Sequence, residues 1–212
     1  DVKLLVDSGA SSALFLDEGN NANIVLPEKT IEHPLGRGLA GVINGRIGRV
    51  KKVKFGGYRF SHVTTSFPED WSIGSRNQSI EDKTDIRYGT LGADLLSRFH
   101  VIFDYMNNQV YLRRNSDFGN IFPFNTSGLS VIAIGQDLNE YYVTDVIKNS
   151  PADKVGIKDG DEIVSFNGKP AFFHSLTEVN NMLREKPGSL LTIVLRREEE
   201  LIKKTIRLKK LL

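Results

Sequence analysis

The sequence predicts a mainly β protein of two domains, and three observations carry that prediction. Short apolar runs of strand length recur through residues 1–112, punctuated by Gly and Asn. Between Arg113 and Gly128 the hydrophobic pattern lapses, and it resumes in a different rhythm from Leu129. Helical spacing of apolar residues is confined to short stretches, such as Leu176, Val179, Met182 and Leu183.

In the first half the strand runs are Leu4-Leu5-Val6, Asn23-Ile24-Val25-Leu26, and the segment holding Val50, Val53 and Phe55. Val63–Phe67, Val101–Phe103 and Gln109–Leu112 follow. Turns are expected at Gly19-Asn20-Asn21, Asn44-Gly45, Gly56-Gly57 and Asn107-Asn108. Asn44-Gly45, flanked by Val42-Ile43 and Ile47, carries a strong two-residue hairpin signal because both residues tolerate positive φ. One helix is expected from Ala93 to Phe99, with Asp94 as its cap. The chain starts inside an apolar run, Val2–Val6, and reads as a product with sequence missing upstream.

In the second half, strands are expected at Leu129–Ile134 and Tyr141–Ile147, then a short helix after Ser150-Pro151. A strand at Asp161–Phe166 closes on Asn167-Gly168, and a helix through Leu183 ends near Pro187-Gly188. Leu190–Leu195 and Leu201–Leu208 complete the set. The terminal cations Lys203, Lys204, Arg207, Lys209 and Lys210 alternate with apolar residues, as on the solvated face of a strand.

Composition narrows the function. Lys and Arg number 28 against 26 Asp and Glu, a net charge of +2, too small an excess to imply a nucleic-acid or anionic-membrane partner. The absence of cysteine removes disulfides, thiolate metal sites and cysteine nucleophiles, and leaves the compartment open. No stretch is long and apolar enough to span a bilayer. His33, His62, His100 and His174 lack metal-ligand spacing, and no G-x-S-x-G surrounds any serine. Asn77-Gln78-Ser79 and Asn125-Thr126-Ser127 match glycosylation acceptors, which carry meaning only in a eukaryotic secretory setting.

Asp7-Ser8-Gly9-Ala10 follows directly on Leu4-Leu5-Val6. A carboxylate at the end of a strand, beside a hydroxyl and a flexible glycine, suits acid–base work when a second carboxylate stands close. Such a pair shares one proton, so one member activates water and the other donates to a carbonyl. The triplet alone is common loop chemistry. Its context is more specific: Leu91-Gly92-Ala93-Asp94-Leu95-Leu96, then Val101-Ile102-Phe103-Asp104-Tyr105 and Gln109–Leu112. Together these resemble the retropepsin-like aspartic protease family. The resemblance implies catalytic residues Asp7, Ser8 and Gly9, and a glycine-rich flap over residues 36–46 with Gly36, Gly38 and Gly41. A plain surface hairpin is the alternative for that segment. Thr90 stands where the family has an apolar residue, and only six residues precede Asp7. No second D-[ST]-G occurs, so the resemblance implies a homodimer pairing two copies of Asp7.

The run Asn149-Ser150-Pro151-Ala152 through Gly156-Ile157, Gly160-Asp161, Ile163 and Asn167-Gly168 resembles a bacterial-type PDZ domain. Such a domain adds an extended peptide to a sheet edge and captures its carboxylate on backbone N–H groups. The resemblance places that site at Gly128, Leu129, Ser130 and Val131, with the helix from Ser175 to Leu183 as the other wall. An internally occupied or unused groove is the alternative.

The reading is therefore a half-pepsin β barrel over residues 1–115, a linker at 116–127, and a PDZ-like β-sandwich with two helices over 128–212. The expected function is aspartic endopeptidase activity without metal or cofactor, on peptide or unfolded-protein substrates, with the PDZ domain binding peptide or protein tails. A non-catalytic peptide-binding scaffold is the alternative. Family habit implies an extracytoplasmic setting in a bacterium.

Overall fold

The computed structural model describes residues 1–18, 24–38, 41–69 and 87–212. The chain forms two compact units that divide between Phe122 and Pro123. Residues 116–127 are shared between them: Phe118 and Phe122 pack into the first core, while Thr126 and Ser127 are buried in the second unit.

The first unit is built on a six-stranded sheet in the order β1-β6-β2-β5-β4-β3. These strands are β1 (Leu5–Val6), β2 (Leu14–Leu16), β3 (Thr30–Gly38), β4 (Gly41–Phe55), β5 (Tyr58–Pro68) and β6 (Gly89–Leu91). A short helix α1 (Ala93–Leu96) and a separate hairpin, β7 (Phe99–Asp104) with β8 (Gln109–Arg114), follow. The expected closed barrel is not formed: among the described residues the sheet is open, with β1 and β3 as its edges, and β7 and β8 pair only with each other. Central β5 lies between β4 and β2, which explains why Thr65, Ser66, Phe67 and Pro68 are consecutively buried.

The turns correct the sequence reading. Gly56 and Gly57, at φ 55° and 84°, close the β4–β5 hairpin, whose last pair is Phe55 with Tyr58. Asn44 and Gly45 are not a turn: they sit within β4, opposite Pro34 and His33. Gly45 is needed there for close packing, since a Cβ would stand 2.3 Å from the Phe67 carbonyl oxygen. Pro34 is tolerated because β3 is an edge strand. Ile24–Leu26 are not a strand, although Ile24 is buried in the core. Gly19-Asn20-Asn21 lie outside the described residues.

Helix α1 is shorter than predicted, and its N-cap is Gly92 rather than Asp94. Asp94 sits in the first turn and pairs with Arg98 at 3.7 Å. Arg98 is almost fully buried; it donates to the carbonyls of Asp94, Asp117, Asn120 and Ile121 and covers the Phe122 ring at 3.7 Å. A guanidinium supplies five donors, which is how one side chain can satisfy several carbonyls of the stretch after β8.

The second unit is one antiparallel sheet in the order β14-β13-β11-β10-β9, with β12 paired to β11. Its strands are β9 (Leu129–Ile134), β10 (Glu140–Val146), β11 (Glu162–Phe166), β12 (Lys169–Pro170), β13 (Leu190–Arg197) and β14 (Glu200–Arg207). Bulges between Val143 and Asp145 and between Ile163 and Ser165 bend this sheet around its core. The core gathers Leu129, Tyr141, Phe166, Val179, Leu183, Ile193 and Ile206. Helix α2 (Pro151–Lys154) starts with Ser150 accepting the Asp153 N–H and Pro151 in the first turn. Helix α3 (Leu176–Leu183) carries a full capping box between Ser175 and Glu178.

Buried Asp161 accepts from Arg197 Nε and from the Lys158 N–H, at 2.6 and 2.9 Å. Burial pushes its carboxyl up, but those hydrogen bonds and the positive charge prevail and hold it below the ordinary value. The folded value is the lower one, so this contribution is complete above the unfolded value of about 3.9 and is lost as pH falls below it. Asp161→Asn is expected to cost about 3 kcal/mol at neutral pH. The gap from wild type should narrow below about pH 4, measured by thermal unfolding followed at Tyr141.

The β13–β14 hairpin turns through Glu198 and Glu199, both at positive φ (48° and 69°). Side chains with a Cβ are strained there. Replacing the pair by Asn-Gly should stabilise the second unit by about 1 kcal/mol in urea unfolding.

Candidate functional site: the Asp7 loop and the β9 groove

Asp7 immediately follows β1, and its chain turns through Ser8 and Gly9 before reaching β2. Between these flanking strands runs β6, parallel to β1 (Val6 opposite Leu91) and antiparallel to β2 (Leu14 opposite Leu91). The loop thus wraps the end of β6. Asp7 donates its N–H to the Leu91 carbonyl at 3.0 Å, Gly92 donates to Ala13 at 3.0 Å, and Ala93 donates to Ala10 at 2.7 Å. Ser12 Oγ meets Ser66 Oγ at 3.2 Å and ties the loop to β5. Three backbone bonds around one strand end hold the path of the loop that carries the carboxylate.

The Asp7 carboxylate is half-buried, and its Oδ1 accepts the Gly9 N–H at 2.8 Å. Ser8 and Gly9 are exposed. A cavity of about 590 Å³ in this unit is lined by Leu4, Val6, Leu14, Leu16, Val50 and Val53 among others, and Asp7 does not line it. The flap glycines fall on the β3–β4 hairpin: Gly36 pairs with Ile43, and Gly38 with Gly41 as the last described pair. In the sheet order that hairpin stands at the edge opposite β1. Its tip, residues 39–40, lies outside the described residues. Among the described residues, no group of three or more His, Asp or Glu could hold a metal ion.

In the second unit, β9 is an edge strand with α3 packed beside it, and this defines a groove. Leu129 is fully buried, while Ser130 and Val131 are half-buried along the groove's strand wall. Gly128 has φ 85°, and a Cβ there would stand 2.1 Å from Ser150 Oγ. The α3 end is stitched to the loop before β9. The Leu183 carbonyl accepts the N–H groups of Thr126 and Ser127 at 3.0 and 3.2 Å, and Thr126 Oγ1 donates to the Glu185 carbonyl at 2.8 Å. These are the orphan carbonyls of a helix C-terminus.

Two residues of this loop, which the sequence presents only as part of a glycosylation acceptor, organise its backbone. Asn125 Oδ1 accepts from the Ser127 N–H at 2.9 Å, the Gly128 N–H at 2.8 Å and Ser127 Oγ at 2.8 Å. Asn125 Nδ2 donates to the Leu129 carbonyl. Ser127 Oγ in turn accepts the Leu129 N–H at 3.1 Å. The signal was an Asn two residues before Ser-Gly, the pattern of an Asx turn.

Residues 142–197 match the family model of the PDZ domain. The second unit contains a PDZ domain. Gly128–Val131 precede the matched stretch of this PDZ domain. The chain is 35% identical over 79 residues to serine protease HTRA1 of Xenopus tropicalis, which covers 37% of this chain and 14% of that protein. The chain therefore spans only a small part of the length of that relative. A solved HtrA3 PDZ domain bound to a phage-derived ligand (FGRWV) is 27% identical, covering 41% of this chain and 86% of its own, at a TM-score of 0.35. The photosystem II D1 C-terminal processing protease is 23% identical, covering 40% of this chain and 23% of its own, at a TM-score of 0.37.

Gly92 sits where the Asp7 loop crosses β6. A Cβ there would lie 2.1 Å from the Ser12 carbonyl oxygen and 2.6 Å from that of Ala10, both main chain. Gly92→Ala is expected to destabilise the first unit by about 3 kcal/mol in urea unfolding. Gly119→Ala, with open space around the new methyl, should be near neutral.

Proposed function

We propose that the first unit is a retropepsin-like aspartic peptidase half-site, and that the PDZ domain docks extended polypeptide. The observation that carries this reading is the threading of β6 between β1 and β2, with the Asp7 N–H held by the Leu91 carbonyl. That arrangement presents one carboxylate on a rigid loop at a strand end. One carboxylate is half of the required machinery, so two chains associate and bring their Asp7 side chains together.

In the paired site, two carboxylates share one proton. The ionised Asp7 takes a proton from water as the new C–O bond forms at the peptide carbonyl carbon. The protonated Asp7 of the other chain donates to the carbonyl oxygen. Collapse of the tetrahedral species breaks the C–N bond, and the amine leaves with a proton. The flap glycines Gly36, Gly38 and Gly41 give the β3–β4 hairpin the backbone freedom to cover a bound strand.

The exposed apolar residues Leu5 and Val6 of β1, with Val2 before it, support association of chains, because burying them offsets part of the ordering cost. Extended substrate reaches the PDZ domain along the edge strand β9, beside Gly128, Leu129, Ser130 and Val131. An extracytoplasmic setting in a bacterium belongs to the same reading.

Hydrolysis of an unstructured casein-type substrate at about pH 5 tests the proposal. Wild-type protein should cleave and sediment as a dimer, and Asp7→Asn should lose at least ~10³-fold in rate while keeping its fold. Equal turnover by the two proteins, or a strictly monomeric active species, would remove the aspartic mechanism and leave a peptide-docking module.

A further inference from the structure

The loop before β9 has the geometry of an anion nest, in which successive main-chain N–H groups converge on one point. In this protein the nest is already filled. Ser127 and Gly128 direct their N–H groups at Asn125 Oδ1, and Leu129 directs its N–H at Ser127 Oγ. The Ser127 hydroxyl adds a third donor to the same Asn125 oxygen. On the other side of the carboxamide, Nδ2 occupies the Leu129 carbonyl. Only one orientation of the amide satisfies this set, oxygen toward three donors and nitrogen toward one acceptor.

The Asn125 side chain therefore presents the two functions that a peptide terminus would bring to this spot. Its oxygen stands in for a carboxylate oxygen, and its N–H stands in for the amide of a terminal residue pairing with the strand. Ser127, Gly128 and Leu129 are all buried, so their donors are not supplied by water when the groove is empty. A chain-terminal carboxylate could enter only by breaking these bonds and expelling Asn125, while surrendering its own hydration. The rest of β9 remains an open edge, with Ile132 and Ile134 exposed beyond it.

We infer that Asn125 makes this groove selective for internal extended segments of a polypeptide rather than for free C-termini. This rests on the proposed docking of peptides along β9. The occupant is an unfolded stretch that pairs with the strand edge and runs on past Gly128, so no charge has to be seated in the nest. Such a preference suits capture of unfolded protein ahead of internal cleavage.

The test uses the full chain. Random decapeptides are selected by phage display, both at a free C-terminus and within a loop. Each selected sequence is then synthesised as free acid and as C-terminal amide, and binding is read by fluorescence anisotropy. Wild-type protein should bind the two forms within about threefold of each other. Asn125→Ala, which empties the nest, should favour the acid by about tenfold or more. A wild-type preference for the acid of about tenfold overturns the inference and leaves docking on β9 intact. So does equal binding of acid and amide by folded Asn125→Ala. If no peptide of either form binds wild type or variant, docking itself fails and the inference falls with it. The wild-type comparison needs no substitution and decides the matter even if the Asn125 variant does not fold.

Discussion

A main-chain N–H withdrawn from water must find an acceptor, and both candidate sites in this protein are shaped by how that demand is met. In the first unit the donors around the end of β6 are taken up by the chain that crosses it. Asp7, Gly92 and Ala93 donate to Leu91, Ala13 and Ala10, and the loop has no freedom left in its path. In the second unit the donors of the loop before β9 are taken up by Asn125 and Ser127. The same physical rule positions the Asp7 side chain in one case and occupies the donors of the β9 loop in the other.

These loops differ in what they leave available. The Asp7 loop spends its backbone on itself and presents a side chain that is only half-buried. The β9 loop spends its side chains on its backbone and leads into the strand at the edge of the sheet. On the proposed reading, a peptidase that cuts within chains gains from both. It needs an acid held rigidly at a strand end, and a docking edge that does not demand a chain terminus.

Local chemistry made much of the fold readable. Leu129–Ile134 is a strand as its pattern says, and Ser150-Pro151 and Ser175 cap their helices through bonds to residues three positions on. Long-range contacts hid the rest. Asn44-Gly45 looks like a turn, yet Gly45 answers to the Phe67 carbonyl across the sheet, and Gly56-Gly57 makes the turn instead. Arg98 was unremarked because its partners, Asp117 to Ile121, lie about twenty residues away in sequence and only folding brings them together. The open first sheet depends on strand pairings that no periodicity records. At the sites, Asp7 stood out by its motif, whereas Asn125 was obscured because a polar stretch before a strand reads as linker.

Amide hydrogen exchange of the unliganded protein, resolved by NMR, tests the shared constraint most directly. The account predicts that Asp7, Gly92, Ser127, Gly128 and Leu129 all exchange at least ~10²-fold more slowly than turn amides such as Gly57. Rates for Ser127, Gly128 and Leu129 equal to those of open turns would contradict it, because their donors would then be facing water rather than Asn125 and Ser127.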